Sequence, residues 1–277
     1  MQARSRRIEA AVQRDRPGIG RLAQRAEIGA IRYEFAPQEF FDDAGPGLIV
    51  PHRARDHGRW HHARVAYSRA KMRKAASFIV DTDPAFADIV EASPVCSIGN
   101  GARTSLNPFE SLVGSVIAQQ VSVKAADSIT ARVTDYLDGD VSPEKVANSS
   151  VEGLRAAGLS GAKTKTVKGI AEAIHTGVLD LEEALPHPDD SAVVAELTKL
   201  WGVGRWTAEM FLMFTMHRLD VWPTGDLAMR KGWNIVHGES GDIDPRILEP
   251  LGDPLRPYRS VVAWYCWRAV EGDDSSW

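Results

Sequence analysis

The chain has 277 residues, enough for one or two hydrophobic cores, and its 44% hydrophobic and 25% charged residues are ordinary for a globular protein. No uninterrupted apolar run approaches the roughly 20 residues of a membrane span. Two cysteines are too few for a disulfide framework, a zinc ribbon or a four-cysteine iron–sulfur cluster. A formal net charge of −4 argues against a protein that binds nucleic acid through a broad basic surface.

The first 70 residues differ in composition from the rest of the chain. They contain 13 Arg, no Lys and 8 acidic residues, a net of +5, whereas residues 71–277 have a net of −9. Three interpretations stay open: a basic arm that touches phosphate, a poorly packed extension, or upstream sequence that precedes a true start at Met72. We favour the third, because the chain's ordinary composition begins there, and we predict an irregular N-terminal extension over residues 1–71.

The remainder of the sequence predicts helices joined by short turns and no strand of useful length. Asn107 is predicted to cap a helix that has Pro108 at its first position. Apolar side chains then recur at i, i+3, i+4, i+7 and i+8, which predicts one buried face: Phe109, Leu112, Val113, Val116 and Ile117. Further helices are expected after a cap at Ser122, within residues 143–157 and over residues 163–175. The predicted fold class is therefore all-α.

Two amphipathic helices meet at Gly202-Val203-Gly204. The first is predicted to open at Asp190-Ser191, and the second to begin near Arg205 and run through Phe214. Two glycines one residue apart let the backbone turn tightly and approach a partner closely. The N–H groups and dipole of the second helix then form a phosphate site that needs no net positive charge. An ordinary turn between helices has the same pattern, so the hairpin alone does not decide the function.

An acidic residue follows the hairpin in the segment Asp220–Leu227. Thr224 is predicted to cap a helix whose first turn contains Asp226, where the helix dipole favours the ionised carboxylate. A lone Asp in this position is usually only a dipole partner. Asp226 follows Gly204 by 22 residues, enough for one helix and a return loop to bring the carboxylate beside the hairpin.

Three segments together resemble the helix–hairpin–helix (HhH-GPD) DNA glycosylase superfamily, and within it the 3-methyladenine DNA glycosylase II type. They are Ala118–Val123, Leu200–Met210 with Asp220–Asp226, and Arg256–Ser260 continued through Trp267. The resemblance covers roughly residues 81–268. It implies two helical subdomains with a cleft between them and the hairpin at the cleft. We expect the terminal subdomain to comprise residues 72–108 and 205–277, and the central one residues 109–204.

The resemblance implies a monofunctional enzyme that hydrolyses the N-glycosidic bond of alkylated purines of the 3-methyladenine or 7-methylguanine type and leaves an abasic site. Asp226 would be the catalytic carboxylate, because a fixed anion stabilises the positive charge that develops on deoxyribose and can orient or deprotonate water. Trp206 stands where the branches that also cut the strand carry a Schiff-base lysine. No lyase activity is therefore expected.

The resemblance also implies a pocket for the flipped base and a surface for DNA. An alkylated purine is cationic, so electron-rich rings can bind it, and the implied pocket residues are Trp206, Met210, Leu227 and Trp267. Met210 and Leu227 replace tyrosines of the best-known member, which leaves the base preference open.

Gln120 either fills the gap left by flipping or is an exposed glutamine at a helix end. The implied DNA contacts are Gln119, Gln120, Gly202, Gly204, Arg205, Thr207 and Lys163. The cluster of Lys163, Lys165 and Lys168 either reaches phosphate or forms a solvated helix face.

We expect no cofactor for catalysis, and the resemblance implies a structural Na⁺ or K⁺ bound by backbone carbonyls near Leu200, Trp201 and Val203. The expected partner is double-stranded DNA with damaged bases, bound by a monomer in the cytoplasm (at the nucleoid in a bacterium) and without a membrane. Two alternatives are a non-catalytic helix–hairpin–helix DNA-binding protein and the same fold acting on an oxidised or deaminated base. Asp226 argues against the first, and the missing lysine and cysteine cluster argue against the endonuclease-III-like and adenine-mismatch forms of the second.

Overall fold

A computed structural model describes residues 67–99, 107–121, 123–181 and 187–271. Within these ranges the chain forms α-helices and two short 3₁₀ turns and no strand, which confirms the predicted all-α class. The extension predicted over residues 1–71 lies outside the described residues except for residues 67–71, and so does the predicted cap Ser122.

The helices of the described residues are, in chain order, α1 Arg69–Thr82, α2 Ala87–Ala92, α3 Pro108–Ala118, α4 Val123–Tyr136, α5 Pro143–Asn148, α6 Val151–Ala156, α7 Gly161–His175, α8 Asp190–Leu197, α9 Arg205–Phe214, α10 Leu227–Val236, α11 Pro245–Leu251 and α12 Arg259–Glu271. The 3₁₀ turns are Pro84–Phe86 and Asp253–Leu255. None of these helices is long and apolar enough to cross a membrane.

Short polar side chains begin several of the central helices, because they satisfy backbone N–H groups that lack a partner in the first turn. Asn107 caps α3 as predicted, and its Oδ1 accepts the Glu110 N–H at 2.7 Å. Ser142, Ser150 and Ser160 cap α5, α6 and α7 in the same way. The helical stretch predicted within residues 143–157 is therefore two helices, separated by the Ser150 cap.

The first helix begins three residues before Met72. Ser68 caps it by accepting the Lys71 N–H, and the Met72 side chain is fully buried. The Tyr67 hydroxyl donates to the His217 carbonyl at 3.0 Å, which ties this end of α1 to a distant part of the chain. Residues 69–71, predicted to belong to the irregular extension, are therefore part of α1, and this helix spans the change of composition near residue 70.

The later helices form one group around α12. α10 packs along α12 at very close range: a Cβ at Gly232 would lie 1.8 Å from the Cys266 carbonyl oxygen, so only glycine allows this approach. α1 and α2 also contact α12. The large side chains of α12 fill this core: Trp264, Tyr265 and Trp267.

The central helices form a second group around α3, whose predicted apolar face is buried in full. α3 contacts α4, α7 and α9, while α5 and α6 pack on α7 and α8 packs on α9. α9 therefore contacts two helices of the expected central subdomain, α3 and α8, although the expected boundary would place it in the terminal subdomain. The division into two subdomains stays a prediction.

Candidate active site

The Asp226 carboxylate is buried at the beginning of α10 and accepts three hydrogen bonds. Its Oδ1 accepts the Met229 N–H at 2.6 Å and the Trp267 indole N–H at 2.9 Å. Its Oδ2 accepts the Trp206 indole N–H at 2.7 Å. All three donors are neutral groups, and the residue is only 5% exposed. The donors therefore hold the carboxylate in one orientation without cancelling its charge.

Asp226 itself is the N-cap of α10, so the prediction that Thr224 caps this helix is wrong. The Asp226 N–H donates to the Pro223 carbonyl at 2.9 Å and closes a turn just before the helix. Thr224 lies inside that turn, and its hydroxyl donates instead to Glu249 at 3.0 Å. Both residue types are good caps, and the turn decides between them because it brings only the carboxylate to the first free N–H groups.

The segment before this helix, the aspartate loop (residues 218–226), is held by an ion pair between the buried Arg259 and the partly exposed Asp220. The Arg259 guanidinium donates to Asp220 Oδ1 at 2.8 Å and to the Asp220 carbonyl at 2.7 Å. Arg259 is 8% exposed, whereas Arg256, which donates to the same carboxylate at 2.8 Å, is exposed. The start of α12 thereby fixes the path of the loop that carries the catalytic candidate.

A buried serine adds three bonds to the same loop. The Ser260 hydroxyl donates to the Arg218 carbonyl at 2.8 Å and accepts the Val221 N–H at 2.9 Å. The Ser260 N–H donates to the Leu219 carbonyl at 2.9 Å. The sequence indicated the segment around Ser260 only through the resemblance. In the structure this segment anchors the aspartate loop.

The structure brings two of the four predicted pocket residues, Trp206 and Trp267, directly onto the carboxylate. Trp267 is 1% exposed, so a base can stack on its ring only after neighbouring side chains move. Trp206 is half-buried. Met210 is buried in α9, and Leu227, half-buried, is the first residue of α10. The pocket itself stays a prediction, while the two indoles have a described role as hydrogen-bond donors.

The two glycines of the hairpin (residues 200–204) meet different surroundings. Gly202 has φ +81°, and a Cβ there would lie 2.0 Å from the Thr166 hydroxyl oxygen. Gly204 is extended, and a Cβ there would meet no atom within 4 Å. In the described residues no side chain caps α9 at Gly204, so the N–H groups of its first turn lack an acceptor. The fold requires glycine at the first position and leaves open space at the second.

Two predicted DNA contacts are occupied within the protein. The Gln119 side-chain amide donates to the Gly202 carbonyl at 3.1 Å and to the Thr207 hydroxyl at 2.9 Å. Thr207 is 2% exposed, so this pair braces the hairpin from inside. Gln120 is exposed and has φ +56°, a backbone conformation that non-glycine residues rarely adopt. Of the two glutamines, Gln120 is therefore the one free to reach a partner.

An exposed arginine at the start of α9 is paired with a buried carboxylate that was not among the predicted site residues. The Arg205 Nε donates to Glu209 Oε1 at 2.7 Å; 74% of the arginine side chain is exposed and 5% of the glutamate side chain. Burial raises the pKa of the Glu209 carboxyl, against the opposing effect of its bond to Arg205. The sequence does contain a sign of this buried carboxylate, because Glu209 is an acidic residue among the apolar positions of α9.

Two of the three lysines in the predicted cluster are bonded within the protein, and the third is exposed. The Lys163 ammonium donates to the Ile117 carbonyl at the end of α3 at 2.8 Å, and burial lowers the pKa of this group. The Lys168 ammonium donates to the Ser149 carbonyl, just after α5, at 2.6 Å. Lys165 is exposed. A DNA contact by Lys163 stays a prediction, and the internal bond is its described role.

The hairpin carbonyls are oxygen donors of the kind that alkali cations take. The Leu200 carbonyl accepts the Val203 N–H at 3.1 Å, which leaves its second lone pair for an ion. The Gly202 carbonyl is used by Gln119. In the described residues no group of three His, Cys, Asp or Glu side chains could hold a metal ion. The donor set fits the expected Na⁺ or K⁺, which stays a prediction.

Comparison with known proteins places these features in one family. Residues 113–257 match the family described as HhH-GPD superfamily base excision DNA repair protein. A curated relative, DNA-3-methyladenine glycosylase 1 of Schizosaccharomyces pombe, is 31% identical over 171 residues, which cover 61% of this chain and 75% of the relative.

Two solved structures have the same fold over most of their length. The S. pombe 3-methyladenine DNA glycosylase in complex with abasic DNA superposes with a TM-score of 0.64 at 30% identity, over 70% of this chain and 95% of that one. A DNA-3-methyladenine glycosidase from Bacillus halodurans gives a TM-score of 0.59 at 35% identity, over 71% of this chain and 88% of that one. The described helices thus have the architecture of these proteins.

Proposed function

The chain belongs to the HhH-GPD superfamily of base excision DNA repair proteins, and from the geometry of Asp226 we propose that it is a monofunctional DNA glycosylase that removes alkylated purines from double-stranded DNA. The observation that carries the proposal is the buried carboxylate held by three neutral donors beside the hairpin. The names of the relatives support the substrate class.

The reaction breaks the bond between C1′ of deoxyribose and the ring nitrogen of the base, and the bonding electrons leave with the base. An alkylated purine carries a positive charge, so it departs as a neutral molecule and leaves a positive charge shared by C1′ and O4′. A carboxylate fixed close to that charge stabilises it most strongly where water is excluded. Asp226 meets both conditions, since it is held in place and is 5% exposed.

Water then completes the reaction by attack on C1′. Asp226 can accept the proton of that water or orient it, and the products are the free base and an abasic sugar with a C1′ hydroxyl. The three hydrogen bonds keep the carboxylate from rotating away between the two steps. No covalent bond to the protein forms.

Trp206 supports the absence of lyase chemistry in this proposal. Strand cleavage in the wider superfamily, as implied by the resemblance, requires a lysine amine at this position to form a Schiff base. Here the position carries an indole whose nitrogen has no free electron pair for attack and whose N–H is bonded to Asp226 at 2.7 Å. The enzyme we propose therefore stops at the abasic site.

The duplex is bound through the hairpin rather than through a broad basic surface. The uncapped first turn of α9 offers N–H groups and a positive dipole to one phosphate, and the open space at Gly204 allows a close approach. We include in the proposal a structural Na⁺ or K⁺ at the carbonyls of Leu200, Trp201 and Val203, which would place positive charge at the same turn. These local sources suit a body whose net charge is −9 over residues 71–277.

The test is incubation of the protein with methylated duplex DNA, followed by chromatography of the released bases and analysis of the strands. We expect free alkylated purines and strand breaks that appear only after alkali treatment. Strand breaks without alkali would contradict the monofunctional mechanism. Binding to DNA without release of any base would contradict the enzyme and favour a DNA-binding protein that retains the hairpin alone.

A further inference from the structure

A large exposed aromatic side chain lies in the hairpin itself. Trp201 directly precedes Gly202 and is 54% exposed. Exposure of so large an apolar side chain to water is unfavourable in free energy. The Lys165 ammonium of α7 sits over its ring, 4.1 Å from the ring centroid. This distance lies within the range of a cation–π contact. The hairpin therefore carries a positive charge at a defined position on its outer side.

The neighbouring lysines show why this charge is available to a partner. The ammonium groups of Lys163 and Lys168 donate hydrogen bonds to backbone carbonyl oxygens of the protein. Lys165 instead has a ring face as its described partner, and the ammonium donors stay free for a second ligand because a cation–π contact uses none of them. Of the three lysines, Lys165 alone combines exposure with a fixed position.

The packing of α7 against the hairpin keeps the pair in register. Thr166, the residue after Lys165, lies so close to Gly202, the residue after Trp201, that a Cβ on the glycine would meet its hydroxyl at 2.0 Å. The same turn is braced by the bond from Gln119 to the Gly202 carbonyl. The ring and the ammonium thus stand on two elements that are locked together beside the uncapped start of α9.

We propose that Lys165 binds a backbone phosphate of the DNA next to the one held at the start of α9, and that Trp201 is the positioning residue for its ammonium. This inference rests on the proposed function, since it assumes that the hairpin faces DNA. A phosphate is the occupant favoured by the charge of the pair and by its continuity with the N–H groups of α9. Because the ring already restricts the lysine side chain, less rotamer entropy is lost when the phosphate binds.

The test is the salt dependence of binding to a duplex that contains a stable abasic-site analogue, measured from about 50 to 200 mM salt. Lys165→Ala should weaken binding about twofold to fivefold at the higher salt, the scale of one exposed charge contact. It should also reduce the slope of log K against log[salt] by about 0.9, the value for one phosphate contact. Lys165→Arg should keep the slope of the unmodified protein.

The role of Trp201 is tested by coupling. Trp201→Ala should weaken binding by a similar factor, Trp201→Phe should restore part of the loss because a ring remains, and the double variant with Lys165→Ala should be no weaker than Lys165→Ala alone. A purely structural role for Trp201 would not depend on the presence of Lys165. Additive losses in the double variant would therefore overturn the positioning role.

Lys71→Ala is the matched control. The Lys71 ammonium also sits 4.1 Å from the centroid of an aromatic ring, that of Tyr67, but at the start of α1. The Lys71→Ala variant should have the same affinity for the duplex and the same slope of log K against log[salt] as the unmodified protein. If Lys165→Ala behaves like Lys71→Ala while the unmodified protein binds the duplex and releases alkylated bases, the inference fails and the proposed function stands. If the unmodified protein neither binds DNA nor releases bases, both fail.

Discussion

The aspartate loop and the hairpin are held by the fold in opposite ways. The loop is anchored by charge, since Asp220 is paired with the buried Arg259, and the carboxylate at the end of the loop is only 5% exposed. The hairpin is braced from behind by neutral groups, among them Gln119, and its outer side is exposed. The difference separates the group proposed to act on the sugar, which needs a fixed and dry setting, from the surface proposed to meet phosphate.

The loop anchor should give the largest effect on stability. Arg259→Ala removes the buried partner of the Asp220 carboxylate and the bond to the Asp220 carbonyl, and we expect the free energy of unfolding to fall by about 2 to 4 kcal/mol. Arg256→Ala removes an exposed partner of the same carboxylate and should cost about 1 kcal/mol or less. Urea unfolding of the two variants measures the difference. Equal losses would show that burial does not set the strength of this anchor.

The two hairpin glycines should separate folding from DNA binding. Gly202→Ala places a Cβ at φ +81° against the Thr166 hydroxyl, so it should destabilise the protein by about 1 to 3 kcal/mol. Gly204→Ala meets open space and should cost less than about 1 kcal/mol as a change of helix cap. It should nevertheless weaken binding to duplex DNA, because the new methyl group stands where the phosphate must approach. Unfolding and DNA titration are measured on both variants, and a Gly204→Ala protein with unchanged affinity would show that DNA does not approach this turn.

The indole donors should affect the rate of base release and leave DNA binding in place. Trp206→Phe removes the N–H that holds Asp226 Oδ2 at 2.7 Å. The loss of one hydrogen bond to a charged group corresponds to about tenfold in the single-turnover rate of base release. Because this indole is bonded to the carboxylate rather than to the hairpin, the affinity for abasic DNA should change little. A rate equal to that of the unmodified protein would mean that the other two donors suffice to hold the carboxylate.

The buried carboxylate at the start of α9 should give the smallest effect, a change in the pH dependence of stability. Burial raises the pKa of Glu209 in the folded protein above its ordinary value of 4.5, so the folded state binds the proton more tightly than the unfolded chain. This group therefore stabilises the fold below about pH 4.5, and that contribution is lost as the pH rises through the folded pKa. Glu209→Gln should remove this decline, so the unfolding free energy of the variant relative to the unmodified protein should rise as the pH increases above about 4.5. A parallel profile would contradict the raised pKa.

The features that the sequence predicted correctly are those that depend only on residues close together in the chain. The Asn107 cap, the apolar face of α3 and the bounds of α9 follow from local periodicity and capping, and all are confirmed. The cap of α10 was predicted wrongly because Thr224 and Asp226 are both good caps. Only the turn closed on the Pro223 carbonyl decides between them.

The parts that could not be predicted depend on partners far apart in the chain. Gln119 lies 83 residues from the hairpin carbonyl that it binds, and Lys163 lies 46 residues from the carbonyl at the end of α3. The resemblance implies that both contact DNA, which stays a prediction, and an isolated polar side chain gives no sign of its tertiary partner. The ion pair of Asp220 with Arg259 spans 39 residues, and the sequence marked both segments without showing that they meet.

The most direct test of the central claim is the single-turnover rate of base release by Asp226→Asn on methylated duplex DNA. Asparagine keeps an oxygen that can accept from Met229 and Trp267, while its amide nitrogen faces the Trp206 N–H and loses that bond. The negative charge is lost, and the affinity for abasic DNA should be preserved. We predict a rate lower by about 1,000-fold or more, at the upper end of what one electrostatic group contributes to a transition state. Release of alkylated bases at the rate of the unmodified protein would contradict the account, because it would remove Asp226 from the mechanism.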